Sequence, residues 1–299
     1  MKIAVISRGW WPSIKGGSEK FISRIAEELD KRGHEVIGIT RRLPGNPSPQ
    51  ASHSLIVIYD ENPRPLLSSL KFSWHAAQIV NNLDVDVVLI NGYWGEASPL
   101  FIRKLPKVVI IHDVGLFSSK WARAHPLKHL LRVRILKTLV KVSNAIIVPT
   151  LTVQKDLVKY VGADPKKIYV LGFEGVDGPF YKCHEDNDFF DIVQVSRFAP
   201  NKGQLITLRA FELVKEVIKN ARLWLIGGLG PDPEHITYFQ LVKKKAQEIE
   251  REYNIPIKII VNAPDVDVYY KIADVCVFPS LGEEGFGLTV LECMAYGNQ

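Results

Sequence analysis

The chain has 299 residues, 46% hydrophobic and 23% charged, a balance that fits a folded globular protein and excludes a disordered one. No run of about eighteen apolar residues occurs, which argues against a membrane-spanning helix. The formal charge of +6 is uneven: residues 1–176 carry 25 basic and 14 acidic side chains, net +11, and the remainder 13 and 18, net −5. A length near 300 suggests two domains, and the charge split gives them different neighbours. The start, Met1-Lys2-Ile3-Ala4-Val5-Ile6, runs straight into a strand pattern and lacks the form of a signal peptide. Cys183, Cys276 and Cys293 are too few and too scattered for a disulfide framework and show no metal-ligand spacing. A reducing, cytoplasmic setting is expected.

Residues 3–7 read as a buried strand. A long loop, Arg8 to Gly17, precedes a helix with Phe21, Ile22, Ile25, Ala26 and Leu29 at helical spacing and Gly33 as its stop. Val36–Thr40 is the next strand. This is a β-α-β opening without the compact G-x-G-x-x-G turn of a dinucleotide site, which disfavours an oxidoreductase. Further strands are expected at 55–59, 85–91, 108–111, 145–148 and 168–171, with helices at 66–83, 118–142 and 151–161. Residues 174–190 turn polar and read as a linker, dividing a domain of 1–176 from one of 177–299. The second series predicts strands at 191–196, 222–227, 257–261 and 274–278, and helices at 203–219, 236–253 and 265–272. Strand–helix alternation implies two mostly parallel, doubly wound Rossmann-like sheets, with ligands at the carboxyl ends of strands and a cleft between the domains.

The polar motifs follow strands. Arg197 and Lys202 share one strand-end loop, and two fixed cations suit a diphosphate: arginine as a planar fork, lysine as a point charge. A solvated loop with two ordinary surface charges is the alternative. Gly16-Gly17 before a helix could present backbone N–H groups to a phosphate, or make a plain turn. His112 ends an apolar strand, where a histidine is a structural residue or a catalyst, and Asp113 beside it is a candidate to orient its ring. The last block runs from the apolar stretch ending at Phe278-Pro279-Ser280 through Glu284-Gly285-Phe286-Gly287 to a helix opening near Leu288. Helix N-termini favour anions, and Glu292, one turn in, leans back toward that end. Two carboxylates around an anion-binding turn suit a phosphate carrying hydroxyl-rich groups.

Together, Gly16-Gly17, Arg197 with Lys202-Gly203, Phe278-Pro279-Ser280 and the Glu284/Glu292 pair resemble the retaining, nucleotide-sugar-dependent glycosyltransferases of family 4, which have the GT-B fold. The block from Ala273 to Gly297 carries most of the likeness, and Glu174-Gly175-Val176-Asp177 is similar to the family's segment before its linker. The resemblance implies hexose transfer from a nucleotide-diphosphate sugar with retention. Arg197 and Lys202 would hold the diphosphate and stabilise the leaving nucleotide. Backbone N–H groups of Phe286, Gly287, Leu288 and Thr289 would bind the phosphate and the sugar hydroxyls. Glu284 would contact the sugar, Glu292 the ribose, and Gly16 and Gly17 the phosphate from the first domain. His112 would sit beside the transferred sugar, making His112, Glu284, Arg197 and Lys202 the catalytic set. No metal and no resident cofactor are expected, because the cations and the helix terminus take the charge-neutralising role. Two departures stand out. Val261-Asn262-Ala263-Pro264 lacks the glycine that the family usually has after that strand, near the nucleobase. The chain also ends several tens of residues short of the family's length, so the second domain is expected to be incomplete, with four strands. An inactive homologue that only binds nucleotide or membrane is the second reading.

From Val114 to Lys155 the sequence has no acid. Lys120, Arg123, Lys128, Arg132 and Arg134 alternate with Trp121 and several leucines, a pattern that suits an anionic membrane surface and a lipid-linked acceptor. A core-packed helix with a solvated basic face is the alternative. Nucleic acid is not an expected partner, since no recognised binding module is present and the charge is confined to one segment.

Overall fold

In both series the strand cores, such as Ile3–Ile6, Val87–Ile90 and Leu223–Ile226, run apolar on successive residues, the pattern of a sheet covered on both faces. The computed structural model describes residues 1–13, 17–42, 47–59, 65–92, 96–114, 126–172, 188–229, 233–255, 257–281 and 287–297. They form two compact units, Met1–Glu174 and Gly175–Gln299.

The first unit holds β1 (Lys2–Ile6), α1 (Gly17–Lys31), β2 (Glu35–Arg42), β3 (Ser54–Tyr59), α2 (Pro65–Asn81), β4 (Val87–Gly92), α3 (Ser98–Phe101), β5 (Lys107–Ile111), α4 (Pro126–Val142), β6 (Ala145–Val148), α5 (Leu151–Asp156) and β7 (Ile168–Val170). Its sheet is seven-stranded and parallel, in the order β3-β2-β1-β4-β5-β6-β7. The order reverses between β1 and β4, which makes that point the ligand crevice of such a sheet. Because strand side chains alternate, Ile3 and Val5 of β1 face a layer with Phe21, Ile22 and Ala26 of α1, while Ala4 and Ile6 face Phe72, Ala76 and Val80 of α2. Ile6 is fully buried, and burial of such a side chain contributes about 1.5–3 kcal/mol. Thr150 caps α5 by accepting from the Val153 N–H at 3.3 Å.

The second unit holds β8 (Phe190–Val195), a 3₁₀ turn (Pro200–Lys202), α6 (Gln204–Val217), β9 (Ala221–Gly227), α7 (Pro233–Tyr253), β10 (Ile257–Val261), α8 (Asp267–Ile272), β11 (Val275–Cys276) and α9 (Leu288–Ala295). Its parallel sheet runs β10-β9-β8-β11, with its own reversal between β8 and β11. Ile192 faces α6 and α7 through Leu208, Phe211 and Val242, whereas Val193 and Val195 face Tyr270, Cys293 and Tyr296. At the amino end of this sheet Asp191, fully buried, accepts from Arg222 Nε and Nη2 and from Trp224 Nε1 at 2.6–2.7 Å, and its own N–H donates to Asp274.

The structure corrects several expectations. Cys276 and Cys293 form a disulfide, with their Cα atoms 6.5 Å apart. β11 and α9 pack in one cluster, so residues distant in sequence meet; spacing alone carries no such information. The strand expected at 274–278 pairs as Val275–Cys276, with one further bond from the Val277 N–H to the Val193 carbonyl before Pro279, which has no N–H to give. Of the helix expected at 118–142, the described part begins at Pro126, a residue suited to a first helical position. The short α3, opened by Ser98 and Pro99, is too brief to show periodicity and was not expected.

Candidate functional site

In the second unit the polar residues converge at the carboxyl ends of β8 and β11. After β8 the chain makes an isolated bridge, Phe198 to Leu229, which buries Phe198 and leaves Arg197 exposed. The following turn is held from below by two buried glutamines. Gln194 Nε2 donates to the Lys202 carbonyl at 2.8 Å, and Gln204 Nε2 donates to the Arg197 carbonyl at 3.0 Å and to Ser196 Oγ at 2.9 Å. Thr207 Oγ1 donates to Gln194 Oε1 at 2.6 Å, fixing that amide's orientation. Gly203 closes the turn with φ +71°, and a Cβ there would run into the Pro279 carbonyl oxygen. The Leu281 N–H donates to the Asn201 carbonyl at 2.8 Å, so the loops after β8 and β11 are joined.

Between them lies a cleft of about 170 Å³, lined by Gln194, Ser196, Lys202, Phe278, Ser280, Gly287 and Thr289, among others. Gly287, left-handed at φ +79°, opens α9 without a side-chain cap. Among the described residues the N–H groups of the first turn therefore have no side-chain partner at the cap, and they carry the helix's partial positive charge. The cleft thus combines a lysine, hydroxyls and a helix N-terminus. Of the residues singled out in the sequence, Lys202, Phe278, Ser280, Gly287 and Thr289 line it. Arg197 is on the same turn but not in the lining, and Leu288 is in the first turn of α9. Glu292 Oε2 accepts from Tyr270 Oη at 3.1 Å; burial, and then the neighbouring Glu292 charge, push the Tyr270 phenol well above its usual range. Tyr270 in turn stacks on Tyr296, whose pKa is pushed up to about 12, chiefly by burial.

In the first unit the carboxyl ends of β1, β4 and β5 bring together Ser7, Asn91 and His112. His112 Nε2 lies 2.6 Å from Asn91 Oδ1. Asn91 Nδ2 donates to Ser7 Oγ at 3.0 Å and to the Ser18 carbonyl at 3.4 Å, and Ser7 Oγ donates to the Gly9 carbonyl at 2.6 Å. Phe21 meets the imidazole edge to face at 5.9 Å. Burial lowers the His112 pKa to about 4. Asn91, from the neighbouring strand, thus meets the Nε2 edge of the ring, and Asp113 is exposed. Asn91 and Ser7 went unnoticed in the sequence because nothing there marks which strand ends are adjacent. Gly17 is the first residue of α1.

Gly16, Glu284, Phe286, Lys120 and Arg123 lie outside the described residues, and the side chains of Lys128 and Arg132 are likewise not described. Arg134 is exposed on α4, together with Leu127, Leu130 and Leu131, the first of them 82% exposed. Among the described residues no group of three His, Cys, Asp or Glu could hold a metal ion, and no helix is long and apolar enough to cross a membrane.

Two parallel, doubly wound units with polar loops at the strands' carboxyl ends define a GT-B type of fold. Solved structures agree. The chain superposes on sucrose-phosphate synthase from Thermosynechococcus elongatus with a TM-score of 0.77 at 21% identity, covering 99% of this chain and 79% of that one. For Anabaena HepE, solved in complex with UDP and glucose, the TM-score is 0.71 at 16% identity, covering 100% and 79%. At these identities the likeness is one of fold. Residues 15–172 match the model of glycosyltransferase family 4, and residues 182–298 that of glycosyl transferases group 1. The chain belongs to glycosyltransferase family 4, as its motifs suggested. Curated relatives include trehalose synthase of Pyrococcus horikoshii, 37% identical over 110 residues, 36% of this chain and 26% of that protein. Another is the GDP-Man:Man(3)GlcNAc(2)-PP-Dol alpha-1,2-mannosyltransferase of Xenopus laevis, 28% identical over 121 residues, 38% of this chain and 24% of that protein. The matched stretches thus span about a quarter of each relative.

Proposed function

We propose that the protein transfers a hexosyl group from a nucleotide-diphosphate sugar to an acceptor hydroxyl with retention of configuration, and that the acceptor is lipid-linked. The observation that carries the donor half is the cleft where Lys202, Ser280, Thr289 and the open N-terminus of α9 face one small volume. In this reading Lys202 and Arg197 neutralise the diphosphate as it leaves, and the N–H groups of Gly287, Leu288 and Thr289 bind phosphate and sugar oxygens. Glu292 takes the ribose hydroxyls; a carboxylate has lone pairs for more donors than Tyr270 alone. His112 takes a hydroxyl of the transferred sugar. The charge neutralisation needs no divalent ion. Retention follows the family resemblance, by same-face attack assisted by the donor phosphate. A lipid-linked acceptor is supported by the exposed leucines beside basic residues on α4 and by the dolichol-linked substrate in one relative's name.

The test is a thermal-shift screen with UDP, GDP, ADP and their sugars, followed by product detection. Ligand at a hundred times its Kd should stabilise by about 2.7 kcal/mol. Lys202→Ala should weaken nucleotide diphosphate binding by roughly ten-fold or more, consistent with loss of a charge-assisted contact worth about 1.5–3 kcal/mol. No shift with any nucleotide would sink the donor reading. Binding without transfer would favour a binding module over an enzyme.

A further inference from the structure

Three strand ends meet at the reversal point of the first unit's sheet, and the direction of the bonds that link Ser7, Asn91 and His112 can be worked out. The Gly9 and Ser18 carbonyls can only accept. Ser7 Oγ has one proton and places it on the Gly9 carbonyl. Ser7 Oγ must therefore accept from Asn91, so the Asn91 atom facing Ser7 is the amide nitrogen. The same nitrogen faces the Ser18 carbonyl, where an amide oxygen would meet a second acceptor. The remaining atom, Oδ1, faces His112 Nε2 and has no proton, so the ring must supply it. The chain of donors thus runs from His112 to Asn91 to Ser7 to the backbone. Ser7 and Asn91 are buried, at 0% and 4% exposure, so water does not readily replace either link.

We infer that Asn91, anchored by Ser7, is a positioning residue that locks His112 as the neutral Nε2–H tautomer, so that its Nδ1 lone pair serves as the acceptor for a sugar hydroxyl. The second half of this inference rests on the function proposed above; the tautomer does not. A hydroxyl donor complements Nδ1, whereas a phosphate or carboxylate oxygen would meet a lone pair. Burial lowers the ring's pKa to about 4, so it stays neutral near pH 7. Of the groups described against the ring, Phe21 from α1 and Asn91 from β4 do not ionise; Asp113, next in the chain and exposed, is the adjacent titratable group.

The experiment uses the full chain labelled with ¹⁵N-histidine and long-range ¹H–¹⁵N correlation without ligand, His112 being assigned by comparison with His112→Gln. A protonated Nε2 and a pyridine-like Nδ1 are expected in the wild type, and a mixture of tautomers in Ser7→Ala. Asn91→Asp keeps an acceptor for the ring but adds a negative charge. There His112 should hold both protons at neutral pH and lose its acceptor, and transfer should fall at pH 7 and recover as pH rises. An Nδ1–H ring in the wild type, or an unchanged spectrum and pH profile in Asn91→Asp, would overturn the inference. The spectrum is read without donor, so its outcome is separate from that of the nucleotide screen.

Discussion

Glu96 shows at the scale of one residue what the first unit tolerates beside its crevice. The side chain is buried, and its Oε1 accepts from Ser73 Oγ at 3.0 Å and from the Ser98 N–H at 2.9 Å. Burial raises its pKa, while these bonds and the charge of Arg8 act the other way. A carboxyl whose folded pKa is raised holds its proton more tightly when folded. Its contribution is full below the unfolded pKa and is lost as pH climbs through the folded value. Glu96→Gln retains an acceptor and has no charge to bury. It should therefore unfold at higher urea than the wild type at pH 8, with the gap closing toward pH 4. A lower midpoint at pH 8 would show that the carboxylate is favourably paired. Neither the burial of Glu96 nor the Asn91 relay is legible in the sequence, because each depends on elements distant in the chain, α2 for Glu96 and the ends of β1 and β5 for Asn91, and neither follows a period.

Among elements, the turn from Ser196 to Gly203 is a case where the sequence placed a loop between a strand and a helix but did not show what holds it. The strand, the loop and the helix after it were visible as an apolar run, a cluster of turn residues and helical spacing. The supports were not: Gln194 and Gln204 look like ordinary polar residues until their amides are seen under the loop. The cations also part company, because Phe198 turns inward and its neighbour Arg197 outward. Pro149-Thr150 and Pro279-Ser280 look alike in sequence yet diverge: Thr150 caps a helix, and Ser280 lines the cleft. Gly203 ties this region together. Gly203→Ala would place a side chain in a left-handed conformation and against the Pro279 carbonyl, with strain of about 1–3 kcal/mol. The expected result is a lower unfolding midpoint together with weaker nucleotide binding. Unchanged values in both would mean that the two loops move independently.

Over the whole molecule, the basic half and the acidic half were legible from charge counting alone, and the two parallel sheets from strand–helix alternation. What joins Cys276 to Cys293 was not. The first unit's charge gives a salt-dependent expectation. The chain should bind vesicles containing anionic lipid, release as salt rises and ignore neutral vesicles. Arg134 and Lys137 are both exposed on α4, and each basic side chain near such a surface is worth about 1 kcal/mol, so Arg134→Glu with Lys137→Glu should reduce binding about ten-fold or more. Equal binding by the double variant would move the contact elsewhere.

The Asp191 knot has a consequence for how the second unit can change. Its ion pair and three donors sit at the amino edge of the sheet, and the cleft opens toward the other edge, about 10–17 Å further along the strand at Gln194 and Ser196. The buried ion pair and the loops around the cleft therefore occupy opposite rims of the sheet. Loops on the cleft rim can be exchanged, by an engineer or by descent, while the ion-paired rim is left untouched.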